Sequence, residues 1–206
     1  MKKQYITRKC TFDSGHRVMN EKMKCFNLHG HTYHCELEFE FNEMESIGYA
    51  IDFKELKRVG CQWIDDLMDH GVLVNPKDEA VIEAALKTGS KIWYMSLEGA
   101  GKYCNPSAEN IAKEIFLAMT VLFQSYKDLR IHKITLWETP NCWTTCFKDS
   151  ISNSEASNWM EANYVAVNNY AQDKGVMNYD DRKDGASTFP NTTSEGQYQS
   201  NKPSRF

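Results

Sequence analysis

Two histidines separated by a single glycine, in the run CFNLHGH from Cys25 to His31, are the residues of this sequence best suited to chemistry. If a strand begins there, positions two apart leave the same face, and the imidazoles of His29 and His31 project together. That face continues through Tyr33, Cys35 and Leu37, a row suited to burial. Two imidazoles converging on the dry side of a sheet need a shared reason to be there, and a metal ion supplies one. Gly30 between them allows something to approach the backbone closely. His16, in FDSGHR, becomes a third donor if its strand folds back antiparallel against His29. Three neutral imidazoles with one open position form the donor set of a catalytic zinc, and the two-His-one-carboxylate set of non-haem iron is not suggested. The competing reading of any one histidine is a core or turn residue. The H-x-H spacing on a buried phase, with a third candidate nearby, favours the metal. His34, on the polar phase, and His132, far off in sequence, read as structural or surface residues.

Three further groups carry possible chemistry. Cys25 follows Lys24 and precedes the ligand pair; a loop folded over a metal would lower its thiol pKa and make it a base or nucleophile. The alternative is a loop cysteine with no role. Asp69-His70 joins a carboxylate to an imidazole, as a proton shuttle needs, yet helix ends favour histidine for dipole reasons as well. Glu138 shares a strand phase with Ile134 and Leu136, so it ends an apolar row and needs a partner if buried. A ligand with adjacent N–H donors would satisfy both of its oxygens, whereas a strand-end glutamate would simply reach solvent.

The elements that must position these groups follow from periodicity. Gln4 to Asp13 has strand composition, and His31 to Phe41 alternates with Tyr33, Cys35, Leu37, Phe39 and Phe41 on one side. Asp52 caps a helix whose stripe is Phe53, Leu56, Val59, Trp63 and Leu67, and Ser107 caps a second with Ile111, Ile115, Met119 and Leu122 inward. Between them, Pro76 to Asn105 reads as an insertion with a short helical run (Glu79 to Leu86) and a Gly-rich loop (Gly99 to Lys102). Arg130 to Glu138 and Cys142 to Lys148 form two more strands around a Thr139-Pro140-Asn141 turn. The expectation is an α+β domain over residues 1–148, a four-stranded antiparallel sheet in ββααββ order with two helices on one face. Residues 149–206 form a polar extension, with one helix over Ser154 to Gln172 and a disordered tail from Gly185.

Composition limits the function classes. The chain has 206 residues with 41% hydrophobic and 25% charged, enough for one soluble domain. Its net charge of −4 argues against a nucleic-acid binder working by bulk electrostatics. No apolar run approaches the roughly 18 residues of a membrane span. The odd count of seven scattered cysteines, with no export signal after Met1, points to thiols in a reducing cytoplasm.

Taken together, FDSGHR, KCFNLHGH (Lys24 to His31), IDFKELK (Ile51 to Lys57), LMDHGVLVNP (Leu67 to Pro76), PSAENIAKEIF (Pro106 to Phe116) and LWET (Leu136 to Thr139) resemble the 6-pyruvoyltetrahydropterin synthase superfamily of tunnelling-fold enzymes. The resemblance covers about Gln4 to Lys148. It implies that His16, His29 and His31 bind Zn2+, that Cys25, Asp69 and His70 form the proton-transfer group, and that Glu138 anchors a pterin ring. Ser107 stands where the family usually has Thr and keeps the hydroxyl for pterin contact; Arg17, Lys22 and Lys24 are candidates for a triphosphate. The family's sites lie between subunits of a homo-oligomeric barrel, so Cys25 of one copy would work with Asp69 and His70 of another. The three residues between Cys25 and His29 resemble the bacterial 6-carboxy-5,6,7,8-tetrahydropterin synthases of 7-deazaguanine (queuosine) biosynthesis, as does IDFKELK. The implied substrate is 7,8-dihydroneopterin triphosphate, giving 6-carboxytetrahydropterin, acetaldehyde and triphosphate. The alternatives are the pyruvoyl-forming synthase and a non-catalytic zinc-containing pterin- or purine-binding scaffold.

Overall fold

The computed structural model describes residues 3–46, 48–97 and 104–176. The expected Gly-rich loop at 99–102 and the expected disordered tail at 185–206 lie outside the described residues.

Strong alternation builds the central hairpin. β1 (Gln4–His16) and β2 (His29–Phe41) pair antiparallel along their whole length, from Gln4 opposite Phe41 to His16 opposite His29. Tyr33, Cys35, Leu37 and Phe39 are fully buried, while Thr32 before them and His34 between them are exposed. β5 (Arg130–Thr139) adds to β2 and β6 (Cys142–Phe147) adds to β5, both antiparallel.

The two expected helices cover the inner face. The first runs through α1 (Phe53–Leu56), a π-helical turn (Lys57–Cys61) and α2 (Gln62–Leu67), with the Asp52 carboxylate accepting from the Lys54 N–H at its start. The π turn presses Gly60 onto the sheet: a Cβ there would meet Leu37 Cδ1 and Met119 Sδ at 3.1 Å. A side chain at this position would hold the helix off the sheet. α4 (Ala108–Leu122) is capped by Ser107 Oγ, which accepts from the Asn110 N–H, and it buries Ile111, Ile115, Met119 and Leu122.

The sheet itself corrects the four-stranded, all-antiparallel expectation. Among the described residues it has six strands in the order β4-β3-β1-β2-β5-β6 and is mixed. β3 (Gly71–Val74) runs parallel to β1, and β4 (Lys91–Tyr94) runs parallel to β3 after α3 (Glu79–Thr88) crosses between them. Four-residue strands such as GVLV and KIWY are too short to show alternation, and parallel strands read as unbroken apolar runs. The segment taken for an insertion therefore extends the sheet, with Val74, Val81, Ala85 and Ile92 forming a small second core.

α5 (Asn153–Asp173) begins with a Ser152–Glu155 capping box and packs on α4 through Trp159 and Val167. Among the described residues no helix is long and apolar enough to cross a membrane.

Candidate metal centre

The loop end of the β1–β2 hairpin sets His16 directly across from His29, with His31 one inward position further along. All three project from the core face. Their ring centroids are 4.5 Å (His16–His29), 4.9 Å (His29–His31) and 5.2 Å (His16–His31) apart. What approaches Gly30 closely is the partner strand: a Cβ there would stand 3.2 Å from the Ser14 carbonyl oxygen, opposite the Gly15–Gly30 pair.

The hydrogen bonds of the rings define which nitrogens are free. His16 Nδ1 lies 2.6 Å from the Pro106 carbonyl, and His29 Nδ1 lies 2.7 Å from the Asn27 carbonyl. A carbonyl can only accept, so both Nδ1 atoms carry the proton and donate. The neutral rings then present unprotonated Nε2 lone pairs, and these two Nε2 atoms stand 3.2 Å apart. Two lone pairs cannot bond each other; an electrophile between them resolves the contact. With His31 the donor atoms all lie within 4.8 Å of one another. Backbone carbonyls holding Nδ1–H so that Nε2 faces inward are the outer-sphere arrangement of metal-binding histidine, so the residues present fit a zinc ion. Burial pulls His16 below the usual histidine range, partly offset by its bond to Pro106, which keeps the ring neutral and able to ligate.

Glu138 reaches the same place. The β5–β6 register shifts between Trp137 and Thr139, so Glu138 sits at an irregularity of the kind that re-aims side chains beside functional sites. Its Oε1 lies 3.6 Å from His16 Nε2 and 3.9 Å from His31 Nε2. Beneath the triad, Tyr33 is fully buried and its hydroxyl has no hydrogen-bond partner. Burial, followed by the charges of Glu138 and Cys25, pushes this phenol well above the ordinary tyrosine range.

The residues 17–28 that close the hairpin hold Cys25. It is half-buried in a short 3-10 turn (Lys24–Phe26), and its carbonyl accepts from the Val18 N–H at 2.8 Å. Arg17 orders this loop. Its guanidinium forks onto Asp78 with two 2.7 Å bonds and covers the Phe26 ring at 4.7 Å. Asp78 is 2% exposed and caps α3, so the expected triphosphate candidate Arg17 is committed to a buried carboxylate. Lys22 and Lys24 are exposed. Asn105, not singled out by sequence, accepts from both the Met19 N–H and the Asn75 amide at 3.0 Å, joining the loop, the end of β3 and the approach to α4. Ser107 follows Pro106, so the α4 N-terminus abuts His16.

Asp69 and His70 are not brought to the triad in this chain. They group with Asp13, an outward-facing residue of β1, whose N–H donates to Asp69 Oδ1 at 2.7 Å. His70 Nδ1 lies 2.5 Å from Asp69 Oδ2, and its backbone adopts φ 54°, a left-handed conformation that costs a non-glycine residue. The bond to Asp69 holds His70 above the usual histidine range. Partial burial raises Asp69, but bonds from the Asp13 N–H and His70 outweigh it and hold the carboxyl low. An open cleft of about 390 Å³ lies on this side, lined by Asp13, Gly15, Gly30, Thr32 and His70 among others.

Comparison with known proteins places these geometries in a lineage. The sequence model of the 6-pyruvoyl tetrahydropterin synthase family matches residues 5–149, ending just before α5. A Rickettsia felis protein named 6-carboxy-5,6,7,8-tetrahydropterin synthase is 36% identical over 142 residues, 66% of this chain and 95% of that one. Its Haemophilus influenzae namesake is 31% identical over 141 residues, 66% and 92% of the two chains. In three dimensions an uncharacterized Wolinella succinogenes protein superposes with TM-score 0.55 at 19% identity, over 72% of this chain and 99% of that chain, which speaks to fold alone. On this footing the chain belongs to the 6-pyruvoyl tetrahydropterin synthase family.

Proposed function

We propose that the chain is a zinc-dependent 6-carboxy-5,6,7,8-tetrahydropterin synthase, converting 7,8-dihydroneopterin triphosphate to 6-carboxytetrahydropterin with release of acetaldehyde and triphosphate, in 7-deazaguanine (queuosine) biosynthesis. The observation that carries it is the pair of inward lone pairs on His16 and His29, 3.2 Å apart, with His31 and the Glu138 carboxylate alongside. The bacterial relatives named for that product, at 31–37% identity, support the choice of reaction.

His16, His29 and His31 hold the metal, which supplies Lewis-acid polarisation of substrate side-chain oxygens. Glu138 accepts the paired N–H donors of the pterin ring and so sets the side chain against the triad. Ser107 offers a hydroxyl at the α4 N-terminus. Cys25 moves a proton at one side of the substrate carbon chain and His70 at the other, with Asp69 orienting His70 through Nδ1–H and leaving Nε2 to exchange the proton. Because Asp69 and His70 group with outward-facing Asp13, and the triad faces the core, a second copy of the chain completes the proton-transfer group; the reading therefore includes a homo-oligomer with sites at subunit interfaces. Lys24 and Lys22 receive the triphosphate, while Arg17 holds the loop that carries them. The test is incubation with 7,8-dihydroneopterin triphosphate, with and without a chelator, and product identification by mass. Acetaldehyde and the carboxypterin are expected only without chelator. A pyruvoyl pterin, or turnover insensitive to chelation, overturns the assignment.

A further inference from the structure

The peptide that joins Asp69 to His70 is held at both ends. Its N–H, on His70, donates to the Asp13 carbonyl at 2.6 Å, and its C=O, on Asp69, accepts from the Lys91 ammonium at 2.6 Å. Lys91 opens β4 directly across from Gly71, the residue after His70. Its stem crosses over that glycine: a Cβ on Gly71 would stand 3.3 Å from Lys91 Cδ. The same ammonium donates to the Asp65 carbonyl at 3.0 Å, in the last turn of α2, where carbonyls lack partners within the helix. Both acceptors are backbone carbonyls, so the cation fastens the path of the chain from the end of α2 to the turn that carries His70. That turn needs fastening. The His70 φ of 54° is unfavourable for a residue with a side chain and persists only where its surroundings over-determine it. The Asp69 carboxylate and the His70 imidazole leave from the two sides of this one peptide, so its orientation sets the bond between His70 Nδ1 and Asp69 Oδ2. A neutral imidazole held in the Nδ1–H form by that bond keeps Nε2 as an acceptor; released, it can take either tautomer.

We infer that Lys91 is a positioning residue for the proton-transfer pair: its ammonium pins the Asp69–His70 peptide so that Asp69 holds His70 in the Nδ1–H form with Nε2 turned to the substrate. This rests on the pterin reading above and extends it to a residue that the resemblance did not single out. It also assigns β4, part of the segment that reads as an insertion, a share in the reaction.

The experiment compares zinc-loaded wild type with Lys91→Met, which keeps the stem and removes the ammonium, and with Lys91→Arg, which keeps a charged donor. Long-range proton–nitrogen NMR of histidine-labelled protein, at a pH where the His70 ring is neutral, reads its tautomer. Steady-state turnover of 7,8-dihydroneopterin triphosphate gives kcat and KM. Lys91→Met should move His70 from the Nδ1–H form toward the Nε2–H form and lower kcat about 10- to 100-fold, the cost of a misplaced reacting group, with KM and zinc content unchanged. Lys91→Arg should keep the tautomer and most of kcat. An unchanged tautomer or an unchanged kcat in Lys91→Met, or a Lys91→Arg protein equally impaired, would overturn the inference. So would a Lys91→Met protein that loses its zinc or its folded state along with activity, by showing a general structural part. An inactive wild type would instead overturn the pterin reading, and the tautomer comparison would still decide whether Lys91 sets the pair.

Discussion

Replacing Glu114 by glutamine should remove a specific pH dependence from the stability of the fold. Glu114 lies on α4 with no exposed surface, its Oε1 accepting from the Ser96 N–H at 2.6 Å and its Oε2 from the Trp159 indole N–H at 2.5 Å. Asn163 of α5 donates to Ser96 Oγ at 2.6 Å, so the carboxyl joins three segments. Burial pushes it up to about 7 from an unfolded value of 4.5, against the pull of the Ser96, Trp159 and Trp93 donors. A carboxyl raised on folding stabilises the native state fully below its unfolded pKa, and that contribution is lost as pH rises through the folded one. The displacement corresponds to about 3 kcal/mol in all, most of which is lost between pH 5 and pH 8. Glutamine keeps the shape and cannot ionise. Urea unfolding of both proteins in the same metal state, at unit steps across that range, isolates the effect as a difference in which other titrations cancel. The Glu114→Gln protein should gain on the wild type by that amount as pH rises. A difference constant to within about 0.5 kcal/mol, the error of comparing such variants, would refute the reasoning.

His29→Ala should abolish stoichiometric zinc, measured by elemental analysis, a loss exceeding the roughly 10- to 100-fold that outer-sphere changes cost. Asp69→Asn should return the His70 titration, followed by NMR, toward the ordinary range and slow turnover by roughly 10²- to 10⁴-fold; an unshifted His70 would refute the pairing. Arg17→Ala leaves Asp78 as a buried, unpaired carboxylate, and chemical denaturation should show a loss of about 3–5 kcal/mol. Gly71→Ala places a Cβ 3.2 Å from the Lys91 and Met68 carbonyl oxygens, backbone atoms that cannot step aside, and thermal unfolding should report a loss of about 1–3 kcal/mol.

Local order was legible before any coordinates. The alternation from Tyr33 to Phe41 names the buried face of β2, the caps at Asp52 and Ser107 start the right helices, and H-x-H on the dry phase puts His29 and His31 side by side. Such readings need only the periods of strand and helix, which neighbouring residues carry. Opposing His16 to His29 followed from the same logic once the hairpin was assumed.

What neighbours in sequence cannot carry is who lies across a gap. The parallel pairing of β3 and β4 depends on a crossover whose two four-residue strands have no period to read. Arg17 read as a triphosphate candidate because Asp78, its partner, is 61 residues away, and the burial of Glu114 depends on Trp159, 45 residues further on. The tautomers of His16 and His29 are set by the carbonyls of Pro106 and Asn27, and the outward placement of Asp69 and His70 by the Asp13 backbone. Residue type and spacing determined which groups are capable of the chemistry; long-range hydrogen bonds, whose partners only folding brings together, decided which of them face one another.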